Sequence, residues 1–132
     1  MPPRVGLVGP LHPHRGGIAH HTTQLLAELR VRGDVHAESF ARLYPRRLAP
    51  GGAPRDPGLV APPDVYEELD SLSPPTWVRA LGRLRGGELY VFPWWTPVLA
   101  PVLGHLAWAR RRAGARVVAV VHNRLQIGRA HV

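Results

Sequence analysis

Four short segments along the chain predict β-strands. Residues 5–9 form a run that ends in Gly-Pro, which predicts a buried strand followed by a turn. Residues 35–40 and 88–92 have the length and composition of two further strands. Residues 116–121 are a continuous run rich in β-branched side chains, which is typical of a strand buried on both faces.

Helical patterns separate these strands. Apolar side chains recur at spacings of three and four over residues 18–32, and Gly33 suits the end of that helix. Ser73-Pro74 and Thr96-Pro97 each combine an N-cap residue with a proline suited to the first helical position, so each predicts the start of a helix. The inward positions of the three predicted helices are Ile18, Thr22, Leu25 and Leu29, then Trp77, Leu81 and Leu84, then Val98, Val102, Leu106 and Ala109.

The alternation of strands and helices predicts an α/β fold. We expect a Rossmann-like parallel sheet of about four strands in the order 3-2-1-4, numbered along the chain, with flanking helices on both faces and residues 116–121 at one edge. Residues 45–63 are rich in proline and glycine and predict a long irregular loop. Ligands of open parallel sheets bind beyond the carboxyl ends of the strands. The candidate functional segments are therefore residues 9–17, 40–44, 93–96 and 122–125.

Composition narrows the class of protein. The chain has 132 residues, which allows one domain at most, and its lack of cysteine excludes disulfides and thiolate metal sites. The formal net charge is +8 and all 17 basic residues are arginine, as in many high-GC bacterial coding sequences. We find neither a signal-peptide pattern nor an apolar run of the roughly 20 residues that a membrane span needs, so we expect a cytoplasmic protein. The basic residues are scattered, so we expect no specific nucleic-acid face.

The loop of residues 9–17 is the first candidate site. It leads into a helix N-terminus, where exposed N–H groups and the helix dipole favour an anion. Gly16 and Gly17 lack a Cβ atom, so a phosphate could approach their backbone closely. The segment matches neither the Walker A motif nor the dinucleotide-binding glycine pattern. The alternative is a tight turn without a ligand.

Histidines form the second candidate group. His12, His14, His20 and His21 lie in this loop and the first helical turn, but no acidic residue lies near them, so we expect no metal site. His122 follows the fourth strand at the ligand edge of the sheet. There it could bind a sugar hydroxyl or a phosphate, or it could be a structural histidine that satisfies loop carbonyl groups.

Tryptophans and arginines supply the remaining candidates. Trp94 and Trp95 follow the third strand, and their indole faces suit sugar rings or lipid chains, although at least one of them could belong to the core. Trp77 and Trp108 lie on predicted helices, and we expect both to be packing residues. Residues 110–112 are three consecutive arginines, which we interpret as a solvated helix end. Peripheral contact with an anionic membrane surface, such as the inner face of the cell membrane, is the alternative.

Four segments, taken in their order and spacing, resemble glycosyltransferase family 4, and the resemblance covers residues 4–125. They are Arg4-Val5-Gly6-Leu7-Val8-Gly9-Pro10, Arg15-Gly16-Gly17-Ile18-Ala19-His20-His21-Thr22, Phe92-Pro93-Trp94-Trp95-Thr96-Pro97 and Val120-Val121-His122-Asn123. The Arg-Gly-Gly-Ile-Ala and Val-His-Asn parts are the most specific. The resemblance implies a GT-B fold, in which two Rossmann-like domains face a cleft, with this chain as an incomplete N-terminal, acceptor-side domain.

The resemblance also implies an activity. Members of this family transfer a sugar from a nucleotide-sugar donor to an acceptor, usually with retention of configuration, and need neither a metal nor a further cofactor. Here the acceptor would be a glycan, a lipid or a small molecule. By this resemblance Gly16 and Gly17 would bind the donor phosphates and His122 would be the catalytic residue at the donor sugar. His20, His21, Trp94 and Trp95 would lie on the acceptor side.

The end of the sequence departs from the family. We expect residues 1–125 to be the partial glycosyltransferase domain and residues 126–132 to be a non-native tail, because the Ile-Gly-Arg-Ala-His-Val of residues 127–132 is what a common sequencing adapter encodes. The donor domain of the family has no counterpart in this sequence, so we expect the fragment alone to be inactive. The alternatives are another Rossmann-type nucleotide-binding enzyme and a non-enzymatic module that binds anions or nucleic acid.

Overall fold

The computed structural model describes residues 4–14, 17–42, 58–94 and 99–121. These residues form five β-strands and three α-helices. In chain order the elements are β1 (Arg4–Val8), α1 (Gly17–Arg32), β2 (Asp34–Arg42), β3 (Val65–Asp70), α2 (Pro74–Arg83), β4 (Leu89–Trp94), α3 (Ala100–Arg112) and β5 (Arg116–Val121).

All described strand pairs are parallel, and the strand order is β3-β2-β1-β4-β5. The predicted Rossmann-like α/β sheet with flanking helices is therefore present. The predicted count and order need correction, because β3 was not predicted and β4 pairs directly with β1 rather than lying beyond β2. Strand β3 is Val-Tyr-Glu-Glu-Leu-Asp, and three carboxylates in such a short strand oppose the usual composition of a strand. The carboxylates are tolerated because β3 lies at an edge of the sheet, and Leu69 is the only residue of this strand that is buried.

Two apolar layers cover the sheet. One face packs against α2 and α3, and its buried cluster includes Phe40, Leu84, Tyr90, Phe92 and Leu106. The other face packs against α1 through a smaller cluster that includes Leu7, Leu26 and Val91. Helices therefore cover both faces, as the alternating pattern predicted.

The predicted helix limits agree with the structure to within a few residues. Ser73 is the N-cap of α2 and Pro74 its first residue, although the Ser73 side chain makes no capping hydrogen bond. Gly86 and Gly114 follow the ends of α2 and α3 with φ angles of 81° and 93°, a left-handed conformation that glycine adopts without strain. The predicted start of the third helix at Thr96-Pro97 lies outside the described residues.

Two predictions about burial are wrong. Strand β5 is an edge strand as expected, but it is not buried on both faces: Val118 is 46% exposed and Val121 is 66% exposed. Trp108 was expected to pack in the interior, yet its side chain lies on the outer side of α3 and is 60% exposed. Trp77 does pack against the core, and its indole N–H donates to the carbonyl oxygen of Asp70 at 2.7 Å.

No helix among the described residues has the length and apolar character that crossing a membrane requires.

Candidate functional site

The sheet reverses its direction of winding between β1 and β4. From β1 the chain crosses over α1 to β2 on one side, and from β4 it crosses over α3 to β5 on the other side. Helix α1 and helix α3 lie on opposite faces, so a crevice opens beyond the carboxyl ends of these two neighbouring strands. This point is where open α/β sheets bind their ligands.

Gly9 lies at the carboxyl end of β1, where the two strands approach each other closely. A Cβ atom at Gly9 would lie 2.6 Å from Cγ of Pro93 and 2.9 Å from its Cδ. The Gly9 N–H donates to the carbonyl oxygen of Glu38 at 3.1 Å, so β1 remains tied to β2 as it leaves the sheet. Only glycine fits here without moving the backbone of β4.

Three hydrogen bonds fix the loop that follows Gly9. The N–H of Leu11 donates to Oγ of Ser39 at 3.1 Å, and the N–H of His12 donates to Oγ1 of Thr23 at 3.0 Å. Nε2 of His14 donates to the carbonyl oxygen of Phe40 at 2.6 Å, and His14 is almost fully buried. The loop is therefore held between the end of β2 and the start of α1.

Gly17 is the first residue of α1 and its surroundings are open. A Cβ atom placed on Gly17 would meet nothing within 4 Å. The first turn of α1 contains no acidic residue, so nothing there neutralises the positive end of the helix dipole. The Gly17 part of the predicted anion site thus has the space that a phosphate needs, whereas Gly16 lies outside the described residues.

The histidines of this region separate into two groups. His20 and His21 are both exposed in the first turns of α1. The ring of His12 stacks on that of His20 with 5.5 Å between centroids and 29° between planes. His14 is instead buried, and it holds the loop in place by donating a hydrogen bond to the carbonyl oxygen of Phe40. The structure thus brings two imidazole groups together beside the N-terminus of α1.

Trp94 ends β4 at the same edge of the sheet. It is half-buried and packs against the apolar cluster on the α2 and α3 face, so it contributes to the core as well as to the edge. In the parallel register Trp94 pairs with Val121, so β4 and β5 leave the sheet together. The predicted residues Trp95 and His122, which directly follow these two positions, lie outside the described residues.

Sequence reasoning missed a buried charged network on the α2 face of β2. The carboxylate of Glu38 is fully buried and accepts hydrogen bonds from Nε and Nη2 of Arg83 at 2.8 and 2.7 Å. Nε2 of His36 donates to the same carboxylate at 2.5 Å, and the Arg83 guanidinium lies 4.6 Å from the ring centroid of Tyr66. The hydrogen bond to Glu38 raises the pKa of Arg83, so this cation stays charged.

This network extends to the surface through Glu68. Nε of Arg79 donates to Oε1 of Glu68 at 2.5 Å, and Nη1 of Arg83 lies 3.6 Å from the same oxygen. The hydrogen bond from Arg79, together with the charges of both arginines, lowers the pKa of Glu68 below its ordinary value of 4.5, although desolvation opposes the shift.

A polar cleft of about 560 Å³ lies beside His36 and Tyr66, at the amino ends of β1, β2 and β3. It is on the edge of the sheet opposite the predicted ligand edge. The described residues contain no group of three or more metal-ligating side chains close enough to hold an ion. Comparison of the chain with protein families, curated proteins and solved structures finds no match.

Proposed function

We propose that this chain is the acceptor-side lobe of a glycosyltransferase that takes a sugar from a nucleotide-sugar donor in the cytoplasm, without a metal. One observation carries the proposal: an open helix N-terminus at Gly17 lies beside the point where the sheet reverses direction. This is the place where an α/β sheet binds a ligand, and the N-terminus of a helix favours a phosphate there. The resemblance of the flanking segments to glycosyltransferase family 4 gives the ligand its proposed identity.

The charges of the described residues support an anionic ligand at this position. The loop after β1 and the first turn of α1 carry no carboxylate, and the stacked imidazoles of His12 and His20 can both donate hydrogen bonds. The formal net charge of +8 adds a general attraction for anions. A diphosphate would therefore meet donors and partial positive charge, with no carboxylate in the loop or in the first turn of α1 to oppose it.

The loop geometry supports a preorganised site rather than one that forms on binding. Residues 9–14 are fixed through Ser39, Thr23 and Phe40, and two of these three contacts are buried. Donors that are held in place before the ligand arrives stabilise developing charge without reorganisation. In sugar transfer that charge develops on the leaving diphosphate as its bond to the anomeric carbon breaks. An acceptor hydroxyl oxygen forms the new bond to the anomeric carbon, and its proton passes to the departing diphosphate.

The proposal assigns the nucleoside part of the donor to a second lobe. The lobe described here then binds the diphosphate weakly and does not transfer sugar alone, because stabilisation of the leaving group needs contacts from both sides of the cleft. His122, Trp95 and Trp94 would lie along the edge that receives the sugar and the acceptor. Their direct roles are part of the proposal.

Replacement of Gly17 by alanine tests the proposal without disturbing the fold. The new methyl group enters open space, so the variant should be as stable as wild type. The methyl group would, however, occupy the position where a bound phosphate contacts the backbone of the protein. Gly104→Ala is the matched control, since a Cβ atom there also meets nothing within 4 Å and Gly104 lies on α3. Calorimetric titration with pyrophosphate and with uridine diphosphate should show about tenfold weaker binding for Gly17→Ala, as expected if the methyl group prevents one hydrogen bond from a backbone N–H group to the charged ligand.

Equal binding by wild type, Gly17→Ala and Gly104→Ala would contradict the assignment of the anion to the helix N-terminus. Thermal melting of each variant checks that all three proteins are folded.

A further inference from the structure

The exposed indole of Trp108 needs an explanation, because a large aromatic side chain is seldom left in water. Its side chain is 60% exposed on α3. The guanidinium of Arg112 lies 5.4 Å from its ring centroid, one turn further along the helix. The indole is thus covered in part by a cation and not by the core. An aromatic ring next to a guanidinium suits an environment that is both apolar and anionic.

The rest of the outer face of α3 has the same character. Pro101, Gly104, Trp108, Arg111 and Arg112 are all exposed, at spacings of three and four that place them on one side of the helix. Helix α3 contains no acidic residue, and its last turn carries three arginines. We call the exposed set of Trp108, Arg111 and Arg112 the α3 patch. It combines an indole with cations and has small or apolar residues on the side of the helix N-terminus.

The carboxylates of the described residues are unevenly distributed over the fold. Residues 89–121 contain no aspartate or glutamate, and the exposed Arg116 at the start of β5 adds a cation near the end of α3. The nearest carboxylate along the chain is that of Glu88, which precedes β4 and whose carbonyl oxygen accepts from the N–H of Arg116 at 3.1 Å. Most acidic side chains of the described residues lie on β2, on β3 or in the turn before β3, namely Asp34, Glu38, Asp64, Glu67, Glu68 and Asp70. Residues 89–121 therefore carry cations and no carboxylate, whereas most carboxylates lie on the β2 and β3 side of the sheet, where Arg83 and Arg79 pair with Glu38 and Glu68.

We propose that the α3 patch binds the surface of an anionic lipid bilayer. Trp108 would enter the interfacial region, where indole rings are favoured, while Arg111 and Arg112 contact lipid phosphates. A bilayer fits better than a nucleic acid, because the patch is a single convex helix face with one indole and no row of aromatic side chains that could stack on bases. The distribution of carboxylates orients the protein, since the side of the sheet that contains most of them would face away from the membrane. This inference does not depend on the proposed transferase activity.

Cosedimentation of the 132-residue chain with lipid vesicles tests the inference. We expect binding to vesicles of equimolar phosphatidylglycerol and phosphatidylcholine, and little binding to phosphatidylcholine alone. Each arginine near an anionic surface contributes about a fivefold gain in partitioning, so R111Q/R112Q should bind about 30-fold more weakly. The matched control is R30Q/R32Q, which removes the same charge from the last turn of α1, where Arg32 is exposed and Arg30 is half-buried, and should weaken binding by only about twofold.

Tryptophan fluorescence gives a second measurement that needs no charge variant. Vesicles with brominated acyl chains should quench part of the emission of the wild-type protein, and Trp108→Ala should remove that quenching while the half-buried Trp77 continues to emit. The substituted side chains of α3 and Arg32 are exposed, and Arg30 is half-buried with one hydrogen bond to the carbonyl oxygen of Asp64, so thermal melting should show folded variants.

Several results would overturn the inference. One is an equal weakening of vesicle binding by R111Q/R112Q and by R30Q/R32Q, which would show that the net charge of the protein alone attracts it to the vesicles. Another is equal or absent binding to both kinds of vesicle. A third is tighter binding of duplex DNA than of anionic vesicles at the same salt concentration, which would assign the patch to nucleic acid.

Discussion

The buried pair of Glu38 and Arg83 gives the sharpest prediction about stability. The Glu38 side chain is 0% exposed and that of Arg83 is 20% exposed, and the two groups share hydrogen bonds of 2.8 and 2.7 Å. Arg83→Met removes the cation but leaves the carboxylate in the interior. Loss of one partner of a buried ion pair typically costs about 3–5 kcal/mol. Because His36 still donates to Glu38, we expect a value near the lower end, about 3 kcal/mol.

Urea unfolding followed by far-ultraviolet circular dichroism measures this free energy directly. The double variant E38M/R83M removes both charges and should recover most of the loss, because an apolar pair of similar size replaces a buried ion pair at little cost. R83K keeps the positive charge but cannot form the two parallel hydrogen bonds of arginine. Its free energy of unfolding should lie between those of wild type and R83M. A loss below about 1 kcal/mol for R83M, or no recovery in E38M/R83M, would refute this reasoning.

Two further predictions concern stability. Gly9→Ala should lower the free energy of unfolding by about 1–3 kcal/mol, because the new methyl group overlaps the ring of Pro93, and Gly17→Ala should show no such loss in the same urea titration. Glu68→Gln should change the response to acid. Since the folded pKa of Glu68 is lowered, its contribution is complete above its ordinary value of 4.5 and is lost as the pH falls through the lowered pKa. The difference between wild type and Glu68→Gln should therefore shrink on acidification below pH 4.5, and a difference that grows would contradict the pKa shift.

Hydrophobic patterning predicted the fold class although the helices obey it only in part, since the buried residues of α1 are Ala19, Thr22 and Leu26 and only Thr22 belongs to the predicted inward face. The runs at 5–9 and 116–121 are apolar, and the helix over residues 18–32 has regular spacing, so the positions of β1, β5 and α1 follow from periodicity. Strand β3 could not be found in this way, because its carboxylates break the apolar pattern of a strand. They are tolerated because the strand lies at the edge of the sheet and because arginines of α2 pair with them. The strand order needed tertiary information that no local pattern contains.

The candidate site was only partly visible in the sequence. The glycine-rich loop before α1 could be found because a helix N-terminus follows it, but the role of His14 depends on the carbonyl group of Phe40, which is distant in sequence. The role of Ser39 in holding the loop had only a weak sequence signal. It is a polar residue at a buried position of β2, where an apolar side chain would be expected. The exposure of Trp108 could not be predicted either, because the spacing of α3 alone does not show which side of the helix the sheet covers.

A map of backbone amide chemical shifts during titration with uridine diphosphate tests the central claim most directly. The account predicts that the largest changes fall on residues 9–14 and 17–21 and at the carboxyl end of β4, which together surround the crevice between β1 and β4. Changes centred on the amino-edge cleft at Arg4, His36 and Gly87, or no saturable change at any residue, would contradict it.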